Sequence, residues 1–400
     1  MSKVFCACDI MLPNSCDYRK WAVIACDQHT AEQNYWEQVG EIIGDAPSTR
    51  NMFFPEALLN TITPDSLKCY AENMSGLIEE NFFKVYPGCY VYVERTLVNG
   101  DIRQGVVGVI DLECYDYDPK ITTKVYATEA TVLQRVPPRI ALRTISPMEF
   151  SHTVMFCDDK ENSLIEPIGA IKEKLEKLYD FELMTDGGHI SGYLLCGKAA
   201  EAFENRIAEY EKENVYLVGD GNHSLVTAKL TYESFKKSDP HRDWSKHPAR
   251  YAMVELENIN SDAMVFEPIY RIANCDEPDA MINDFISMDS EDGVPITWIR
   301  GDQEGIVRLS ILPNELPIQV LQRFLDRWVE LHNGSVDYIH GSDTVRKLAQ
   351  NDRTVGFLQP HFDKAILFPY ILSGKVMPKK TFSIGHAEEK RYYLEGRLIR

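Results

Sequence analysis

Apolar and polar positions alternate along this chain in two rhythms, one of about 3.6 residues and one of two, and they predict a mixture of helices and strands. Trp36, Val39, Ile42 and Ile43 keep helical spacing behind a capping box, Thr30-Ala31-Glu32-Gln33, and Gly44 and Pro47 stop that helix. A second apolar stripe, Leu67, Tyr70, Ala71, Met74, Leu77 and Ile78, predicts a helix opening near Pro64. Two alternating runs, Cys89 to Val98 and Asp101 to Leu112, flank Asn99-Gly100, the residue pair best suited to a two-residue hairpin turn. Val154 to Cys157 reads as a buried strand, residues 164–179 and 198–212 as amphipathic helices, and Tyr179 to Leu195 as a hairpin turning at Asp186-Gly187-Gly188. Val215 to Gly219 is a short apolar strand followed by a helix, Leu225 to Phe235; Arg250 to Glu257 and Met264 to Ile272 read as strands. Beyond about residue 300, strands at Ile306, Val336 and Val355 alternate with helices at Leu316, Thr344 and near residue 363, which predicts a small α/β layer.

The chain has 400 residues, so two or three domains are expected, with a soft boundary near residues 285–305. Hydrophobic residues at 44% can fill a sizeable core, and 61 acidic against 42 basic residues leave a net charge of −19. That charge disfavours phosphate backbones, because the densest basic stretches, Lys236-Lys237 to Lys246 and Lys379-Lys380 with Lys390-Arg391, are short and mixed with acids. An anionic small molecule is still compatible, since a few donors in a pocket override net charge. The ten cysteines are scattered without a Cys-x-x-Cys pair and read as reduced thiols. Cys6 and Cys8 would share one face of a strand, as metal ligands or, more simply, as two small apolar residues. The start of the sequence lacks signal-peptide character, and no run reaches the ~18 apolar residues of a membrane span, so the cytoplasm is the expected location.

Three constellations carry candidate chemistry. In Val218-Gly219-Asp220-Gly221-Asn222-His223-Ser224 a buried strand turns into a helix whose first N–H groups favour an anion. Asp220 can hold a cation or a hydroxyl there, and His223 can donate to phosphate or shuttle a proton; alternatively Asp220 or Asn222 only caps the helix. In Ala127-Thr128-Glu129-Ala130-Thr131, Glu129 is a candidate base, and Arg135, Arg139 and Arg143 could clamp phosphate. A helix after Pro138 would put Arg139 and Arg143 on one face, unless all three belong to a solvated face with Glu129 as partner. Lys379, Lys380 and Thr381, close to Gly385-His386, offer cations and a hydroxyl but no Gly-rich loop, so they read as a phosphate cradle or as an exposed basic turn. Asp337-Tyr338-Ile339-His340-Gly341 and Cys26-Asp27-Gln28-His29 are weaker signals, and His152 and His189 read as structural. No strong metal motif, serine-hydrolase elbow or dinucleotide fingerprint is present.

In their order these motifs resemble the domain-of-unknown-function 1015 family (DUF1015). The resemblance rests on Lys20-Trp21-Ala22-Val23-Ile24-Ala25-Cys26-Asp27-Gln28, Gly108-Val109-Ile110-Asp111, Ala127-Thr128-Glu129 with its Pro-Pro-Arg, Gly219-Asp220-Gly221-Asn222-His223, Tyr338-Ile339-His340-Gly341 and Met377-Pro378-Lys379-Lys380-Thr381. The Asp220-Gly221-Asn222-His223 element also looks like the Asp-Gly-His-His-Arg signature of the ParB/sulfiredoxin superfamily, which includes free-serine kinases. The resemblance implies a loop base, Glu129, facing a serine hydroxyl, with Asp220 and His223 at the phosphates. The sequence departs from that signature, with Asn222 in place of the first His and Ser224 in place of the Arg. Without that Arg, the phosphate charge must be met by Arg139, Arg143 or Lys379.

The expected fold is therefore mixed α/β: an N-terminal α/β region with a β-hairpin over 1–115, a ParB/sulfiredoxin-like core over 116–290 and a smaller C-terminal α/β domain over 291–400. The expected activity is a small-molecule kinase, with free serine as one candidate substrate. It would use Mg²⁺ held at Asp220, ATP or ADP as phosphate donor, and Gly219, Gly221, Asn222, Ser224, Lys379, Lys380 and Thr381 around the phosphates. The alternative is a non-catalytic nucleotide-binding regulator, which the loss of the Arg favours. A partition-type DNA-binding protein is disfavoured by charge. The expected ligand is a small anion, with no nucleic acid or membrane partner, and a homo-dimer is compatible with the pattern.

Overall fold

In the computed structural model, described here for residues 3–29, 33–130, 136–150, 153–313 and 315–400, the chain is mixed α/β and forms two compact units. The first comprises Met1–Met264, Gly374–Val376 and His386–Arg400, and the second Val265–Ser373 and Met377–Gly385. The main division thus falls at Met264/Val265 rather than near 290. No unit boundary falls at residue 115, because strands from both sides of that position share one sheet: Tyr251–Asn258 pairs with Ile102–Asp111 along its whole length.

Among the described residues, the sheet of the first unit has thirteen strands. Its centre runs in the order Tyr216–Asp220, Thr153–Cys157, Tyr251–Asn258, Ile102–Asp111, Phe83–Thr96. The Asn99-Gly100 hairpin forms as expected, with Gly100 at φ +89°, and aligns Arg95 opposite Arg103. Val218 and Asp220 oppose Met155 and Val154, so Gly219 is an inserted residue that bulges the strand just before it ends. A side chain at Gly219 would meet the Phe156 ring at 2.5 Å. The register runs Asp220, Val154, Glu255, Val107, Val91 across five strands. In-register neighbours share a face, so Asp220 and Glu255 project to the same side. Both faces are packed: one cluster contains Trp21, Val91, Val107, Met253 and Tyr393, the other Phe5, Tyr92, Phe203, Tyr216 and Val254.

The helix Pro64–Glu79 carries the expected stripe and is capped by Thr63 and Ser66. The helix Gln33–Ile43 also forms, whereas Thr30–Glu32 of its capping box lie outside the described residues, as do Thr131, Arg135 and His152. The expected helix over 164–179 is corrected. Only Glu166–Gly169 is α-helical, a 3-10 turn follows at Lys172–Lys174, and Glu176–Glu182 is a strand paired with His189–Leu195. Leu175 and Leu178 fit a helical stripe, but the hairpin extends the sheet and buries Tyr179, a tertiary gain that local spacing does not encode. Cys6 and Cys8 belong to two successive strands with different partners, not to one. All ten cysteines are free thiols.

The sheet of the second unit runs Gln303–Leu309, Asp289–Arg300, Thr354–Leu358, Phe266–Asn274, Ser335–His340. All of its ladders are antiparallel. Helices Pro278–Ile286 and Pro317–Leu331 contribute Phe285, Leu321, Leu325 and Trp328 to its buried residues. Among the described residues, no helix is long and apolar enough to cross a membrane.

Candidate functional site

The Tyr216–Asp220 strand ends at a left-handed Gly221 (φ +80°), and the helix Asn222–Ser238 begins at once. Gly221 occupies the N-cap, so no side chain caps the first turn. A Cβ at Gly221 would stand 2.9 Å from Thr153 Oγ1 and 3.0 Å from Thr153 Cα, which leaves only glycine here on two grounds, dihedral and space. The capping alternative for Asp220 and Asn222 is therefore set aside: Asp220 Oδ1 accepts from Gly221 N at 2.8 Å, and Asn222 turns away to another segment.

That segment is the Glu129 loop. Asn222 Oδ1 accepts from Thr128 N at 3.2 Å, Asn222 Nδ2 donates to Thr128 Oγ1 at 3.3 Å, and Thr128 Oγ1 donates to Val218 O at 2.6 Å. Thr128 and Asn222 are both buried, so these bonds are shielded from water and hold the loop to the turn. Glu129, half-buried, follows directly. The turn and the loop, separate in sequence, are thus one structure. His223 is half-buried in the first helical turn, and its carbonyl accepts from Thr227 Oγ1 at 2.7 Å.

Pro138 lies within the helix Val136–Ile145, which places Arg139 and Arg143 on one face as expected. Both face carboxylates rather than solvent. Arg139 Nη2 meets Glu56 Oε2 at 3.0 Å. Burial alone would lower the Arg139 pKa, but neighbouring acidic groups, Glu56 and Asp27 among them, outweigh it and raise it. Arg143 Nη1 meets Glu149 Oε2 at 2.5 Å, and Arg397 Nε meets Glu149 Oε1 at 2.7 Å. Burial would raise the Glu149 pKa, yet the two guanidinium groups pull it below the ordinary carboxylate value. Arg143 Nη2 is buried without a hydrogen-bond partner among the described residues. Arg139, Arg143 and Glu149 line a cavity of about 130 Å³ together with Ser224, Thr227, Cys26 and Tyr393. Cys26, a weak signal in the sequence, thus reaches a pocket. Its thiol accepts from Tyr393 Oη at 3.0 Å, and burial with Asp27 nearby pushes its pKa up to about 11, so it is no thiolate at neutral pH.

Lys390, which the sequence marks only as part of a short basic stretch, joins this site. Its Nζ stands 3.1 Å from Asp220 Oδ2, and only 12% of its side chain is exposed. The segment carrying it is tied to the sheet by buried arginines. Arg95 donates to the carbonyls of Gly187, Glu388, Glu389 and Lys390, and Arg103 to that of Glu389. Next along, Arg391 pairs with Glu255 at 2.5 Å and with Glu395, which also accepts from Tyr179. Gly105 makes room for this network, since a Cβ there would lie 2.3 Å from Glu255 Oε1. The only hint in the sequence is the alternation of charged and apolar residues at the strand ends, Glu94-Arg95, Arg103 and Glu255-Leu256-Glu257.

Lys379, Lys380 and Thr381 belong to the second unit, where their carbonyls and the Thr381 hydroxyl hold a turn. The carbonyls of Lys379 and Lys380 accept from the buried Arg271 at 3.3 and 2.8 Å, and Thr381 Oγ1 closes its own turn on Pro378 O at 2.7 Å. The two ammonium groups are exposed. His340 ends a strand of the same unit, and His189 pairs with Asp180 at 2.8 Å.

Among the described residues no group of three or more His, Cys, Asp or Glu side chains is arranged to hold a metal. Asp220 is the carboxylate of the turn, where Lys390 is its partner; one carboxylate with several waters is the usual protein contribution to a magnesium ion carried on phosphate.

The first unit thus carries a strand-to-helix turn at a left-handed glycine, an acidic loop bonded to it and a lysine paired across it. The chain belongs to the family described as protein of unknown function (DUF1015), whose model matches residues 11–287. No curated protein matches the sequence. Among solved structures, free serine kinase in complex with AMP is similar at 11% identity, over 72% of this chain and 90% of that one, with a TM-score of 0.38. A conserved hypothetical protein from Pyrococcus furiosus is similar at 12% identity, over 72% and 90%, with a TM-score of 0.32. SbnI from Staphylococcus aureus, truncated at its C-terminus, is similar at 11% identity, over 70% and 83%, with a TM-score of 0.35.

Proposed function

We propose that the chain is a small-molecule kinase of ParB/sulfiredoxin-type core, which transfers a phosphoryl group from ATP or ADP to the hydroxyl of a small substrate such as free serine. The observation that carries this reading is the pair of buried hydrogen bonds between Thr128 and Asn222, which holds a carboxylate-bearing loop against a phosphate-type turn. In the reaction the substrate oxygen attacks the terminal phosphorus and the hydroxyl proton passes to Glu129. The bond from that phosphorus to the bridging oxygen breaks, and the shortened nucleotide leaves with the electron pair. The first-turn N–H groups beyond Gly221, with His223 and Ser224, receive the phosphates. Mg²⁺, when bound at Asp220, would supply charge neutralisation. Arg143, with one nitrogen on Glu149 and Nη2 left over at the cavity wall, is the donor best placed for a ligand acceptor in that cavity. Arg139 has a weaker claim, since Glu56 already compensates its charge.

The test is phosphorus NMR of the protein with Mg²⁺, ATP or ADP, and a pool of hydroxy amino acids. A new phosphomonoester resonance is expected with the wild type and none with Glu129→Gln, while calorimetry shows that the variant still binds nucleotide. Nucleotide binding without transfer in the wild type would establish the second reading, a non-catalytic nucleotide-binding regulator. The specific observation favouring that reading is that Asp220 already has a cationic partner in Lys390.

A further inference from the structure

We infer that Lys390 is the phosphate-binding cation of this site, and that the buried arginine–glutamate network beside it is built to hold that lysine in place. The inference rests on the proposed phosphate site and names the group that replaces the Arg absent from position 224. Arg139 and Arg143 line the neighbouring cavity and are held there by Glu56 and Glu149, whereas Lys390 is paired with the turn's own carboxylate. Lys390 lies outside the stretch matched by the family model and yet stands 3.1 Å from the one carboxylate in the turn.

Placing it there takes unusual means. A lysine on a loose terminal segment would lose several rotatable bonds of freedom on each binding event. Here Arg95, fully enclosed, binds the carbonyls of Glu388, Glu389 and Lys390, and Arg103 adds a bond to Glu389. On the other side Arg391 is held between Glu255 and Glu395, and Tyr392 Oη donates to Met184 O at 2.9 Å. Both flanks of Lys390 are therefore fixed before any ligand arrives, and its side chain is largely removed from solvent and held on Asp220. Removing so many charges from water is costly unless geometry offsets it. A surface lysine paired with an aspartate would need no such support.

The ion pair also defines how the site is switched. A nucleotide phosphate carrying a divalent cation offers Lys390 a stronger acceptor and Asp220 a metal, so both partners exchange rather than remain unpaired. Lys390 has the compact charge suited to a terminal phosphate oxygen.

The experiment is titration calorimetry of the full chain with two probes, Mg·ADP and adenosine, comparing wild type, Lys390→Met and Lys390→Arg. The expected result is at least a tenfold loss of Mg·ADP affinity in Lys390→Met, partial recovery in Lys390→Arg and no change toward adenosine. Equal loss toward both probes makes Lys390 a structural residue and overturns the assignment, as does unchanged Mg·ADP affinity. A wild type that binds neither probe brings down the phosphate site itself and this inference with it. Should Lys390→Met not fold, Asp220→Asn gives an independent reading. Releasing the ammonium from its carboxylate should tighten magnesium-free pyrophosphate binding at least threefold, and unchanged or weaker binding overturns the assignment.

Discussion

Thr128 and Asn222 exchange two hydrogen bonds in a buried setting, backbone N–H to Oδ1 at 3.2 Å and Nδ2 to Oγ1 at 3.3 Å. Asn222→Leu keeps the approximate volume but strands the Thr128 N–H away from water. It should cost about 1–3 kcal/mol of stability, read by urea unfolding. Phosphoryl transfer should fall further than the population of folded protein explains, because the Glu129 loop is released. Transfer at the wild-type rate in the folded variant would separate the loop from the reaction.

Gly221 is subject to two constraints at once, φ of +80° and Thr153 atoms within 3.0 Å of any Cβ. Gly221→Ala should lower stability by about 1–3 kcal/mol and weaken nucleotide binding through the displaced turn. Thermal unfolding and calorimetry on the same preparation check both.

Arg95 holds four carbonyls in the interior. Arg95→Met takes a donor from each, leaving Arg103 on Glu389 alone, and should destabilise by about 3 kcal/mol or more, measured by chemical denaturation. Limited proteolysis should then cut near residues 388–390, where the wild type resists. Protection equal to the wild type would show that other contacts hold this segment.

Burial raises the Glu257 pKa to about 7, with Glu255 adding to the rise while Arg103, 3.6 Å away, with Arg391 and Arg95, opposes it. The folded chain therefore keeps a proton that the unfolded chain releases near the ordinary value of 4.5. The sign follows: the contribution is complete below about 4.5 and is lost as pH climbs through about 7. Glu257→Gln should flatten the decline in stability between pH 5 and pH 8 by about 1–3 kcal/mol, read from denaturation midpoints. Glu149, whose pKa is lowered, acts with the opposite sign below the ordinary carboxylate range and leaves this window clear.

Elements whose signal is local were legible in the sequence. The Asn99-Gly100 hairpin, the Pro64 helix and the strand ending at Asp220 follow from turn chemistry and periodicity, which neighbours in sequence decide. The joining of the Glu129 loop to the Asp220 turn was anticipated through a family resemblance, not from spacing. Residues 164–179 misled because Lys-Glu repeats with spaced leucines suit a helix until a partner strand is available, and His189–Leu195 supplies one. Lys390 was illegible for the same kind of reason: nothing near it in sequence says that Arg95 and Arg103 will bind its backbone. Arg139 and Arg143 were legible as a pair on one helical face, but Glu56 and Glu149 were not legible as their partners.

The path of the backbone gives this site a history. The polypeptide leaves the first unit at Met264 and contributes its closing stretch, His386–Arg400, only after the second unit has been traversed. On a ribosome the turn at Asp220 would emerge long before its lysine, so an incomplete chain would carry the acidic half of the pair without the basic half. Losing the 386–400 stretch would take away Arg391 and Glu395, the buried partners of Glu255 and Tyr179, together with the lysine, so the ion pair and the packing beneath it stand or fall as one.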